Sequence, residues 1–151
     1  MGNENSKESK AATSLSSKKL AKLKSRIEKE YPWLQGVEES MLITDMREDD
    51  EPIVYANEDF HKMTQYSNEE VIGFNCRFLQ GKHTNPLTVT RMREAINEGK
   101  ELEVEILNYR KDGAPFLNNF ILLPLHFALK KSALFVFVIV GLLFIDRKLC
   151  L

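Results

Sequence analysis

The 151-residue chain is poor in cysteine and in net charge, and each shortage excludes something. Two cysteines, Cys76 and Cys150, are too few for a small disulfide-stapled secreted fold. No signal peptide opens the sequence, so the expected setting is reducing and cytoplasmic. A formal net charge of −1 excludes a nucleic-acid binder that works through overall basicity. Seven glycines and five prolines without a period exclude a collagen. The three histidines, His61, His83 and His126, share no metal-ligand spacing with either cysteine, so no metal is expected. Nor is there a local Cys/His nucleophile pair.

What is present is the composition of one soluble globular domain, 43% apolar and 28% charged. The charge is unevenly spread. Residues 1–30 hold eight Lys/Arg against four Glu, and the other 121 residues hold 13 basic against 18 acidic. Residues 1–18 are Ser/Lys/Asn/Glu-rich with almost nothing apolar to bury, and are expected to be a disordered basic arm. Within 19–36, Leu20, Leu23, Ile27 and Tyr31 recur at spacings of 3 and 4, which predicts a short amphipathic helix ending before Pro32. Its stripe either packs on the domain or is reserved for a partner or a membrane.

The core is expected over 37–126. Met41 to Thr44 and Ile53 to Ala56 read as strands, with a polar loop from Arg47 to Pro52 between them. Asn57 can cap a helix containing Phe60 and Met63. Ser67 and Glu70 form a capping box, and Gly73 stops that turn. Asn85-Pro86 opens a longer helix with Val89, Met92 and Ile96 on one face, ended by Gly99. Two alternating strands follow, turned by Lys111-Asp112-Gly113. The order predicts an α+β fold, a small antiparallel sheet with short helices on one face.

Polar residues stand where core is expected. Asn108 falls in phase with Leu102, Val104 and Ile106, and Asn118 with Phe116 and Phe120. An unpaired buried amide costs about 1–3 kcal/mol. Either the two amides satisfy each other and nearby backbone, or they meet a ligand with a donor/acceptor edge such as a heteroaromatic ring. Arg93, beside Met92 on the helix, could join Arg77 at a phosphate, or both are surface charge. Cys76, read alone, is a small buried hydrophobe.

The run Gly73-Phe74-Asn75-Cys76-Arg77-Phe78-Leu79-Gln80-Gly81 resembles the signature of LOV domains, the blue-light-sensing flavin branch of the PAS superfamily. The resemblance extends from about Met41 to Leu125, through Leu42-Ile43-Thr44-Asp45, Leu107-Asn108-Tyr109 and the Asn118/Phe120/Leu122 strand. It implies a PAS fold with a five-stranded antiparallel sheet, and FMN as cofactor, with FAD or riboflavin as variants. Cys76 would be the thiol that adds reversibly to C4a of the photoexcited flavin. Arg77 and Arg93 would hold the phosphate, and Asn75, Gln80, Asn108 and Asn118 the ribityl chain and pyrimidine edge. Thr44, Leu79, Val89, Met92, Ile96, Phe120 and Leu122 would wall the pocket. The implied function is a photoreceptor signalling by conformational change to an effector protein or a second copy. It is not an enzyme, since nothing resembles a nicotinamide or substrate site. The alternatives are a PAS interaction module without photochemistry and a truncated isoform of a longer photoreceptor.

The sequence departs from that family at 127–151. LOV domains finish on a central strand carrying a Gln near the flavin N5, whereas no Gln follows Gln80 here. The Gln position falls at Ile139 when aligned without a gap, or at Leu143 when aligned on Gly141. Residues 133–145 are instead thirteen residues without a polar side chain. As a helix they would span about 20 Å, short of the ~30 Å hydrocarbon core. They read as the last strand, an altered terminus or a membrane segment, with no room after them for an effector domain. At the other end, Gly2 followed by Asn3-Glu4-Asn5-Ser6 fits the N-myristoylation pattern, and the basic arm could supply a second membrane signal.

Overall fold

The computed structural model describes residues 16–125 and 134–144. The expectations for Gly2 and most of the basic arm, and for 126–133 and 145–151, lie outside the described residues.

Local sequence sets most element boundaries. Helix α1, Ser17–Glu30, starts where the Ser16 side chain accepts from the Lys19 N–H, and stops at Tyr31 because the next residue is Pro32. Strands β1, Met41–Asp45, and β2, Ile53–Ala56, form an antiparallel pair. Helix α2, Glu58–Thr64, is capped by Asn57. The same Asn57 side chain accepts from the Met41 N–H (2.9 Å) and donates to the Glu39 carbonyl (2.7 Å), so the cap also anchors the start of β1. Helix α3, Asn68–Val71, carries the complete Ser67/Glu70 capping box. Helix α4, Pro86–Glu98, has Asn85 at its cap, Pro86 at its first position and the left-handed Gly99 (φ 63°) at its end. Strands β3, Leu102–Tyr109, and β4, Pro115–Leu125, make a hairpin whose turn contains Gly113 at φ 84°.

Residues Leu134–Phe144 form β5. It runs antiparallel between β1 and β4, giving the strand order β2-β1-β5-β4-β3. The register slips by one residue at Asn119/Phe120, so Phe120 stands opposite Ile139 and Asn119 opposite Gly141. The apolar run thus occupies the one position that joins the two halves of the sheet.

The sheet packs on both faces. Phe60 and Met63 of α2, Val71 of α3, and Met92 and Ala95 of α4 share one core with Leu42, Val104, Ile106, Phe116, Phe120 and Leu122. Leu23 and Ile27 of α1, with Leu34, form a second core on Met41, Ile43, Val54 and Leu125. The short core helices α2, α3 and α4 take one side of the sheet and the N-terminal α1 covers the other. The α1 stripe packs on the domain, with Leu23 and Ile27 buried. Amphipathicity determines that a helix has a side to bury, not which sheet face receives it.

Candidate functional site

The turn that carries Cys76 is pinned at both ends. At its entry, Ile53 and the Gly73–Phe74 segment exchange backbone hydrogen bonds, Gly73 N–H to the Ile53 carbonyl and Ile53 N–H to the Phe74 carbonyl, both 2.8 Å. Gly73 holds φ 88°, a conformation natural only to glycine. Next, the Asn75 carboxamide oxygen accepts from the Arg77 N–H (2.9 Å) and starts a single 3₁₀ turn, Cys76–Leu79. At the exit, Gly81 lies so close to Tyr109 that a Cβ there would stand 2.5 Å from the ring. The Tyr109 hydroxyl accepts from the His83 N–H (3.0 Å), and the Thr84 hydroxyl donates to the Leu107 carbonyl (2.7 Å). These contacts hold the cysteine turn against β3, one residue from Asn108.

A cavity of about 410 Å³ opens between this turn, β1 and α4, within the ~300–1,000 Å³ usual for small-molecule sites. Thr44 faces it from β1. The turn contributes Asn75, Cys76, Arg77 and Gln80, and α4 contributes Val89, Met92, Arg93 and Ile96. Deeper in, a chamber of about 30 Å³ is lined by Leu79, Asn108, Asn118 and Phe120, sharing Cys76, Gln80 and Met92 with the outer cavity. All the site residues expected from the sequence meet there except Leu122. That side chain is wholly buried in the adjoining core and lines neither space. Gly2 lies outside the described residues.

The two amides do bond to each other. The Asn118 side-chain N–H donates to the Asn108 oxygen at 2.8 Å, and the Asn108 N–H reaches its neighbour's carbonyl, that of Leu107, only at 3.4 Å. The pair does not close on itself. The Asn118 oxygen, in a residue 4% exposed, has no partner among the described residues, and neither has the hydroxyl of Thr44. Native interiors rarely leave buried acceptors unbonded, and the exceptions concentrate where a ligand completes the set.

Burial pushes the Cys76 thiol up to about 11, and the neighbouring Arg77 guanidinium offsets only part of this. At neutral pH the group is a protonated thiol with little nucleophilicity of its own. Arg77 itself forks onto Asp50, its two terminal nitrogens donating to the carboxylate at 3.0 and 2.6 Å. This pairing holds the Asp50 carboxyl below the usual carboxylate range. Arg93, by contrast, makes no ion pair among the described residues.

Sequence reasoning missed two parts of this site. Leu42, Phe60 and Ile106 also line the inner chamber, and strand and helix phase could have supplied them. The acidic loop of Glu48, Asp49, Asp50 and Glu51 lines the outer cavity. Its composition was visible, but nothing periodic signals that it folds back over a pocket.

The PAS domain family matches residues 38–141 of the chain. A LOV domain of the blue-light-activated histidine kinase EL346 from Erythrobacter litoralis is 43% identical and superposes with a TM-score of 0.66, covering 69% of this chain and 95% of that domain. The chain is a LOV domain of the PAS family. A second solved LOV domain, one studied through a flavin analogue, is 33% identical with a TM-score of 0.69, over 80% of this LOV domain and 87% of the other. Phototropin-2 of Oryza sativa subsp. japonica is 47% identical over 92 residues, 61% of this chain but only 10% of the phototropin.

A flavin is the group this family implies, and the residues fit it. The pyrimidine edge of the ring alternates acceptor, donor and acceptor. The orphaned Asn118 oxygen can take the ring N–H, and the weakly engaged Asn108 N–H can turn to a ring carbonyl.

Proposed function

We propose that this LOV domain is a blue-light sensor that binds a flavin, FMN in the first instance, and signals to an effector protein or a second copy of itself. The observation that carries the reading is the inner chamber, where the Cys76 thiol and an unsatisfied buried amide oxygen line the same space. A flavin held here would supply light absorption and an excited-state electrophile, and Cys76 would supply the thiol that meets it. Every other duty falls to the chain. Asn108 and Asn118 orient the ring edge, and Met92, Val89 and Ile96 of α4 exclude water from it. The pinned turn holds the thiol in place, and proximity rather than a lowered pKa supplies its reactivity.

In this reading the chain is a sensor rather than an enzyme, and a cytoplasmic one. The Gly2 motif and basic arm would place it against the cytoplasmic face of a membrane, a location that labelled myristate incorporation, abolished in Gly2→Ala, would reveal. The test of the photochemistry is the absorption spectrum of the purified protein before and after a blue flash. The wild type is expected to show a structured blue band that bleaches and returns in darkness, and Cys76→Ala to keep the band and lose the bleach. A long-lived light state in Cys76→Ala would overturn the thiol's role, and a colourless wild-type protein would overturn flavin binding.

A further inference from the structure

The two arginines at the pocket mouth are not equivalent. Arg93 has no ion-pair partner among the described residues, whereas Arg77 is held in a two-pronged fork by Asp50. Asp50 reaches that position at a conformational cost. It and Glu51 both sit in the left-handed region, at φ 63° and 49°, which residues other than glycine seldom adopt. The loop is held there from the pocket side: the Asn75 side-chain N–H donates to the Asp50 carbonyl (2.9 Å) while Arg77 takes its carboxylate. Two side chains on the pocket wall thus spend their polar groups on the loop.

A guanidinium binds a carboxylate or a phosphate with the same planar fork. A ligand phosphate approaching Arg77 must therefore displace the Asp50 carboxylate or lie beside it, and the like charges of Glu48, Asp49 and Glu51 line the same mouth. A ligand without a phosphate meets neither penalty. We infer that Asp50 is a specificity-determining residue that occupies the Arg77 fork and narrows the pocket's preference for phosphorylated over unphosphorylated flavins, leaving Arg93 as the principal phosphate anchor. The inference rests on the flavin reading above.

The test titrates the purified protein with FMN and with riboflavin, following quenching of flavin fluorescence, and compares the two dissociation constants. Because the pair is solvent-exposed, the expected effect is modest, about 3- to 10-fold. Asp50→Asn is expected to tighten FMN by that factor and leave riboflavin unchanged, the riboflavin affinity serving as the check that the variant is folded. Arg93→Gln is expected to weaken FMN alone. Asp49→Asn removes the same charge from the same mouth without touching the fork, and is expected to move the ratio in the same direction by a smaller factor than Asp50→Asn. An unmoved or lowered FMN preference in Asp50→Asn, or an equal effect in Asp49→Asn, overturns the inference while both flavins still bind. Failure of the wild type to bind either flavin overturns the flavin reading and this inference together.

Discussion

Thr44 and Asp45 are neighbours in β1 and both are essentially inaccessible to solvent, yet alternation sends them to opposite faces of the sheet. Asp45, on the side covered by α1, is fully served: its carboxylate accepts from the Arg47 backbone N–H (3.0 Å) and from two guanidinium nitrogens (2.8 and 2.7 Å). Thr44, on the cavity side, offers a hydroxyl with no partner among the described residues, and Asn118 offers an oxygen in the same condition. Asp45 is satisfied within the chain, whereas Thr44 and Asn118 leave polar atoms open toward a cavity. The difference separates a surface shaped for stability from one shaped for a ligand, where local rules are broken for function.

Three experiments would break or sharpen that contrast. The largest effect is expected on the face covered by α1. Ile43, wholly buried between β1 and α1, should cost about 2–5 kcal/mol on replacement by Ala, read by urea unfolding, with flavin affinity per folded molecule unchanged. A substantial loss of affinity there would mean that the two faces are not independent.

The Cys76 thiol gives the next effect. Its ordinary value of 9.0 is raised to about 11 by burial, so the folded state binds its proton more tightly than the unfolded state. The associated stability is complete below pH 9 and is lost as pH rises through about 11. At pH 11 the wild type should have lost about 2 kcal/mol more than Cys76→Ala, relative to pH 8. Parallel stability profiles for the two proteins would show that the thiol is not desolvated in solution.

The smallest stability change is expected from the amides. Replacing Asn108 and Asn118 together by Leu removes both the bond between them and the open oxygen. Such paired replacements are near neutral, and calorimetry without flavin should find a change within about 1 kcal/mol, or a gain. Flavin binding should be lost. A large destabilisation without flavin would mean that the amides serve the fold rather than the ligand.

Much of this was legible before any coordinates. The side-chain period of two put Asn108 and Asn118 among core positions, and that conflict alone pointed to an inward-facing polar pair. Asn57, Ser67 with Glu70, and Asn85-Pro86 announced helix starts because a cap is a contact within three residues. The nine-residue run around Cys76 located the turn that lines the cavity. Less legible was how the amides divide their bonds, since phase cannot distinguish a closed pair from one that leaves an oxygen over. The acidic loop was visible only as composition. Its route to Arg77 depends on two left-handed residues and on a side chain 27 positions away.

The caps, turns and strand alternation of this LOV domain follow from residue order alone, because those depend on contacts a few residues long. The sequence also pointed to most of the polar side chains that line the cavity, because few residue types break the apolar pattern. Tertiary structure decided the rest. Residues 133–145 carry no periodicity to tell helix from strand, and only pairing with β1 on one side and β4 on the other makes Leu134–Phe144 the central strand. That placement brings the first and last strands together and puts α1 and the cavity on opposite faces. It also leaves Ile139 opposite Phe120 and Leu143 opposite Leu117. Contacts between residues a hundred positions apart are chosen by which surfaces fit, and no local pattern contains that information.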